Sequence, residues 1–367
     1  MSQVTEVRGS EAVQASPATD DGPADPGPGS SLRVLAGRTI RHPTIGPVVA
    51  AALLYGVFAW EGRQYGFLTE QGTASWLNVS AELAVLAMPY TLLMIAGEFD
   101  LSTGSTVGAT SMVLAIGVSH YHWSVGLAIA VSLILGVVIG LCNGLLVVKT
   151  KLPSFVATIG TNFVIAGAAL GLSRTLVNTS QMSVYVHGFA HSLFAGQWKS
   201  LDVAIVWALV VTALVGWLMI KTRYGNWIYA VGGNVESARR AGVPTDWLKV
   251  GLFVLTSLGA VVVALIQTIE YNTGNATAGQ GFLFQTPIVV VVGGILVSGG
   301  YGSPVGVIFG CIIYGIVSLG IFYAGWNTDW AAAFLGGLMV IAVITNNYVR
   351  RLALSSGRPT DRARGKP

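Results

Sequence analysis

Beyond residue 44 the chain alternates long apolar runs with short polar breaks. The runs approach the roughly 20 residues that a helix needs to cross a hydrocarbon layer about 30 Å thick. The pattern predicts an all-α, polytopic transmembrane bundle of about ten spans, at 45–60, 78–97, 102–119, 124–146, 153–172, 201–220, 246–269, 285–299, 304–322 and 329–346. Residues 1–30 have the opposite character, rich in Asp, Glu, Ser, Pro and Gly without an apolar run. A disordered tail is therefore expected over 1–44, with no cleavable signal peptide ahead of the first span. A second tail is expected at 347–367, which leaves 45–346 as one transmembrane domain.

Composition sharpens this picture. Of 367 residues, 53% are hydrophobic and only 10% charged, against about 25% charged in soluble domains, so an ordinary soluble protein is excluded. Cys142 and Cys311 both lie in apolar runs and are expected to be small buried hydrophobes, with no disulfide framework. The excess of Lys and Arg over Asp and Glu does not point to nucleic acid, because the basic residues flank the spans instead of forming one patch. Their placement reports orientation: with the N-terminus inside, all of the 20 Lys and Arg except Arg63, Arg174 and Lys199 fall on the cytoplasmic side. Both termini are then cytoplasmic, and so is the polar loop at 221–244.

That loop, KTRYGNWIYAVGGNVESARRAGVP, carries more local chemistry than a connector needs. Asn234 is placed to cap a short helix over 235–241, Gly242 suits the left-handed residue that ends it, and Pro244 blocks continuation. A capped two-turn helix between spans is expected to be gripped by another protein, the alternative being an ordinary solvated loop. Two outer loops, 173–200 and about 270–284, are long enough either to dock an external partner or to lid the bundle at the interface.

In Met94–Gly108, MIAGEFDLSTGSTVG, an apolar helix is interrupted by Glu98 and Asp100 and then by Ser102, Thr103, Gly104 and Ser105. Two readings stay open. One is a broken helix beside a transport path, where irregular backbone is tolerated because protein or water surrounds it; the other is a cytoplasmic turn in which Asp100 caps the third span and Glu98 lies in interfacial water. Asn143, Thr158, Thr161, Asn162 and Gln267 are further polar side chains expected deep in the bundle, a neutral set suited to a hydroxylated solute or to bonding neighbouring helices. Glu82 and Glu270, the acidic groups nearest the bundle interior, fall close to expected span ends. Val291–Gly306, with six glycines, is expected to serve close helix packing. The glycines at 300, 302 and 306 do not fit the dinucleotide spacing and no phosphate-cradling Gly-Lys-Ser/Thr run occurs, so the chain is expected to lack an ATPase site of its own. Five histidines without carboxylate or cysteine company make no metal site, no catalytic cluster is found, and no cofactor is expected in this chain.

Four segments together carry a resemblance. Met94–Gly108 is similar to a Gly-Gly-Ile-Asp-Leu-Ser-Val-Gly-Ser signature, with Glu98-Phe99 in place of Gly-Ile. Leu152–Gly171 is similar to a Pro-Phe-Ile-x-Thr-Leu-Gly-Thr segment, and Thr222–Val243 to a Tyr-Ala-x-Gly-Gly-Asn-x-x-Ala-Ala-Arg-x-Ser-Gly loop in which Ser237 replaces the usual alanine. Val291–Gly306 resembles a Gly-Gly-x-Ser-x-Ser-Gly-Gly-x-Gly-Ser segment. In this order they resemble the permease subunits of ribose/xylose-type carbohydrate ABC importers, a binding-protein-dependent transport system inner membrane component family.

The resemblance implies a type II ABC importer-like permease in a bacterial cytoplasmic membrane. Its implied partners are a cytoplasmic ATPase subunit that binds the ATP, an extracytoplasmic sugar-binding protein, membrane lipid, and a second permease copy forming a homodimer or heterodimer. It implies an ATPase-coupling role for Gly233, Asn234, Glu236, Ala238, Arg239 and Gly242. Asp100, Ser102, Ser105, Thr158, Thr161 and Asn162 are the expected residues of the translocation path. The cargo implied is a monosaccharide or similar polyol; an ion-coupled secondary transporter is the alternative.

Overall fold

A computed structural model describes residues 44–355, with side chains as far as Ile344. The expected tail at 1–44, apart from Thr44, and residues 356–367 lie outside the described residues. Helices dominate. α1 (Ile45–Glu61), α2 (Glu70–Ile95), α3 (Thr103–Ser119), α4 (Val125–Thr150) and α5 (Ser154–Val177) follow one another through short turns. A loop then carries β1 (Gln181–Ser183), α6 (Phe189–Phe194), β2 (Gln197–Trp198) and β3 (Leu201–Asp202). α7 (Ala204–Lys221), α8 (Arg223–Gly233), α9 (Val235–Arg240) and α10 (Thr245–Glu270) come next, followed by β4 (Thr273–Asn275), α11 (Phe282–Val292), α12 (Pro304–Tyr323) and α13 (Trp330–Ser355).

Among the described residues, seven helical segments are long and apolar enough to cross a membrane, and Thr103–Ser119, Phe282–Val292 and Trp330–Ile344 are shorter apolar helices. Each of the ten expected spans overlaps one of these helices, and the largest differences in boundary are at the start of α2, at the end of α11 and at the end of α13, which runs to Ser355 into the tail expected from 347. α2 starts at Glu70, because Thr69 caps it by accepting from the Gly72 N–H at 3.1 Å, so Glu82 lies well inside a helix instead of at its end. α11 stops at Val292, where Gly293 and a left-handed Gly294 (φ 94°) open an irregular stretch up to Ser303.

α2 and α10 form the centre, buried along most of their length, while α5 and α7 expose most of theirs. α10 packs on α2, α3 and α4; α2 also carries α7, α11 and α12; α1 leans on α12. The α4–α10 seam is the tightest. Gly136, Gly140 and Gly144 recur every fourth residue along one face of α4, and a Cβ on each would lie 2.4, 2.6 and 2.7 Å from Val261, Val254 and Val250 of α10. Bare backbone lets the helices approach, and dispersion contacts supply the attraction that apolar surroundings do not.

The loop strands pair into two small ladders, β1 with β4 and β2 with β3. The first ties the long loop before α7 to the loop after α10. Cys311 is buried as expected, but Cys142 is exposed. It sits on the face of α4 turned away from α10, while Asn143 and Gly144 take the buried side.

Candidate functional site

Two groups of residues lie at the same end of the bundle, one in the loop 222–245 and one in the turn between α2 and α3. In the loop, the expected helix is α9. Asn234, extended at φ −160° and ψ 109°, accepts the Ser237 N–H on Oδ1 at 2.8 Å, which is the cap that the sequence predicts. At the other end Gly242 adopts φ 85°, the Gly242 N–H bonds to the Arg239 carbonyl, and the Val243 N–H reaches back to the Ala238 carbonyl at 3.1 Å. This six-to-one closure is a helix stop that needs a left-handed residue. Ala238 is buried, facing the bundle, whereas Glu236, Arg239 and Arg240 stay exposed. Arg239 ties the knob to the first turn of α10, donating to Asp246 at 2.7 Å and to the Thr245 hydroxyl at 3.3 Å.

Gly233 has open space where a Cβ would stand, and the tight glycine is its neighbour. A Cβ on Gly232 would lie 1.8 Å from the Ile95 carbonyl oxygen and 2.5 Å from the Gly300 nitrogen. Gly300 itself donates its N–H to that Ile95 oxygen at 2.8 Å, Gly299 lies against Gly97, and the Tyr229 hydroxyl donates to the Gly302 carbonyl at 2.7 Å. The C-terminus of α8, the C-terminus of α2 and the irregular stretch before α12 therefore meet backbone to backbone.

In the second group Asp100 and Ser102 are fully buried. Asp100 Oδ1 accepts from the Ser102 N–H at 2.9 Å and from the Ser102 hydroxyl at 2.6 Å, a local turn that starts α3. Asn143 of α4 donates to the Ser102 hydroxyl oxygen at 2.7 Å, and the Ser105 hydroxyl donates to the Ser102 carbonyl at 2.9 Å. α5 supplies two acceptors for the same turn: Ser154 for the Phe99 N–H at 2.9 Å and Thr158 for the Leu101 N–H at 3.0 Å. The Asp100 Oδ2, Asn143 Oδ1, Thr103 Oγ1 and Tyr90 Oη atoms are buried without a protein partner.

Asp100, Ser102, Ser105 and Thr158 are thus brought together. Thr161 and Asn162 are not: they stand partly exposed on α5, beside the exposed Phe163 and Val164, and not deep in the chain's own bundle as expected. Asp100 does not cap α3 directly: Ser102 is the N-cap residue, and the buried Asp100 holds Ser102 in place; Glu98 is not in interfacial water either. It is largely buried and accepts a hydrogen bond from Lys249 of α10. No group of three or more His, Cys, Asp or Glu capable of holding a metal ion occurs among the described residues.

Residues 72–343 match the family described as branched-chain amino acid transport system / permease component. The chain belongs to that family. The permease is 30% identical over 327 residues to the probable ABC transporter permease protein YphD of Escherichia coli strain K12, covering 88% of this chain and 95% of the relative. It is 29% identical to the galactose/methyl galactoside import permease protein MglC of Salmonella typhimurium, over 78% of this chain and 89% of that one. It is also 27% identical to the fructose import permease protein FrcC of Rhizobium meliloti, over 76% and 78%. No solved structure matches the permease.

Reading motifs alone misses Lys249, Ser154, Gly232 and Tyr229 of this permease. Tyr229 and Gly232 stand in the Tyr-Ala-x-Gly-Gly-Asn pattern, which does not show what they touch; Lys249 and Ser154 become visible once distant segments are folded together.

Proposed function

We propose that this permease is the membrane subunit of an ATP-binding cassette importer that carries a monosaccharide or similar polyol into the cytoplasm. A separate cytoplasmic ATPase drives it and an external sugar-binding protein feeds it. The relatives whose names specify fructose and galactose import support the cargo class, and family membership favours this reading over an ion-coupled transporter. The chain breaks no bond in its cargo and binds no nucleotide; its work is mechanical. The distribution of Lys and Arg supports cytoplasmic termini.

One observation carries the mechanism: the α9 knob and the buried turn are joined by side chains. Arg239 holds Asp246 at the start of α10, Lys249 one turn further holds Glu98, and the Glu98 turn is bonded to Ser154 and Thr158 of α5. When the ATPases close on the knob, α10 and the turn move with it, and α5 follows. Thr161 and Asn162 sit on the open side of α5, so a second permease copy set against that face encloses a path with hydroxyl and amide groups on its wall. Asp100, Ser102 and Ser105 brace this wall from behind.

Reconstitution with the ATPase and binding protein tests the reading. ATP-driven uptake is expected, and Gly242→Pro or Glu236→Arg should abolish uptake while hydrolysis and membrane insertion persist. Uphill accumulation by the permease alone, driven by an ion gradient, would overturn it.

A further inference from the structure

α7 and α10 both pack on α2 but barely touch each other, and the gap between them is a groove. A cavity of about 500 Å³ opens between the Arg223 end of α8, the last turns of α7 and the first half of α10, with Leu218, Trp227, Trp247, Gly251 and Leu255 on its walls. A second, of about 250 Å³, shares Leu218 and Leu255 with it and continues along the same helices to Val211 and Val262. Away from the Arg223 end the walls are almost wholly apolar. Along α10, Pro244 to Leu255 rises roughly 16 Å, one leaflet's share of a hydrocarbon layer about 30 Å thick.

The mouth has a different chemistry. The Arg223 guanidinium lies 4.9 Å from the Trp227 ring centre and 5.5 Å from that of Tyr224, with the exposed Trp247 indole close by. Aromatic rings of this kind sit at headgroup depth. The exposed carboxylates at this end are already taken: Asp246 pairs with Arg239 and Glu236 with Arg240, while the buried Glu98 pairs with Lys249. Arg223 and the neighbouring Lys221 have no salt-bridge partner among the described residues. A groove one acyl chain long, dry along its length and cationic only at its mouth, fits a two-part ligand with an apolar tail and an anionic head.

We propose that the α7–α10 groove is a binding site for an anionic phospholipid, with one acyl chain along Leu218, Gly251 and Leu255 and the phosphate on Arg223. The proposal asks only that the bundle sits in a bilayer, so it stands or falls independently of the cargo. Occupied in this way, the groove holds a lipid beside the joint between α8 and α10, next to the knob.

Native mass spectrometry of the full chain, purified from vesicles of equal phosphatidylglycerol and phosphatidylcholine, tests it. The wild type is expected to retain phosphatidylglycerol in preference to phosphatidylcholine, and Arg223→Gln to reduce that preference about fivefold. Gly251→Leu tests the tail separately. Nothing lies within 4 Å of a Cβ at Gly251, so leucine fills the groove without a backbone clash and should lower retention of both lipids. The site is refuted if Arg223→Gln leaves the headgroup preference unchanged, or if Gly251→Leu leaves retention unchanged.

Discussion

Lys249, one turn into α10, donates to the Glu98 carboxylate in the turn between α2 and α3, and both side chains are largely withdrawn from solvent. Removing either partner strands the other charge, at a cost of roughly 3 kcal/mol. Lys249→Met and Glu98→Gln are each expected to lower the melting temperature and the uptake rate. The exchanged pair, Glu98→Lys with Lys249→Glu, should recover part of both losses. Thermal unfolding and vesicle uptake on the three variants decide it: an exchanged pair no better than the worse single change would show that the two charges do not act as a unit.

Adjacent glycines should respond in opposite ways. Gly232→Ala forces a methyl group onto the Ile95 carbonyl and the Gly300 nitrogen, and is expected to cost about 1–3 kcal/mol. Gly233→Ala meets open space and should be neutral within about 0.5 kcal/mol. Denaturant titration of the two variants is sufficient, and equal destabilisation would contradict the backbone joint.

Asp100 accepts two hydrogen bonds through a single oxygen, which asparagine retains at the same position. Asp100→Asn is therefore expected to insert and keep most uptake. Asp100→Ala leaves the buried Ser102 donors unmet, costs about 1–3 kcal/mol, and should impair uptake more than insertion. Membrane yield measured beside uptake separates the two, and equal loss in both assays would reduce Asp100 to a structural brace for Ser102.

Asn234→Ala removes the cap of α9, with an expected loss of about 1 kcal/mol of local helix stability, while Asn234→Asp keeps it. Because α9 is exposed and short, the effect should appear as faster amide exchange over 235–240 and not as a lower global melting temperature. Unchanged exchange would show that the knob is held by its neighbours alone.

How far the fold was legible follows from what each segment asks of its surroundings. The spans and the α9 cap answer to local pattern: an apolar run of the right length, or an Asn and a Gly bracketing two turns, fixes its own geometry. The start of α2 at Glu70 escapes hydropathy because its first turn is polar, though Thr69 is a readable cap. The end of α11 at Val292 is hidden for the opposite reason. Hydropathy stays high through Val297 and masks the stop that Gly293 and the left-handed Gly294 supply, with the Ile295 N–H reaching back to the Val290 carbonyl at 3.2 Å.

Candidate residues divide along the same line. Asp100, Ser102 and Ser105 neighbour each other in the chain and come together as expected, but Glu98 and Lys249 lie 151 positions apart, so no local pattern pairs them. Cys142 and Asn162 are misplaced by hydropathy alone, which cannot say which side of an apolar helix faces inward. The four-residue spacing of Gly136, Gly140 and Gly144 does carry that information, since three bare positions on one face mark where a neighbour approaches.

That glycine seam has a consequence for motion. Where valines ride directly on naked main chain at successive turns, there is no layer of side chains to slide or re-pack. α4 and α10 are expected to travel as one plank, leaving relative movement to an outer helix that neither of them grips, such as α7.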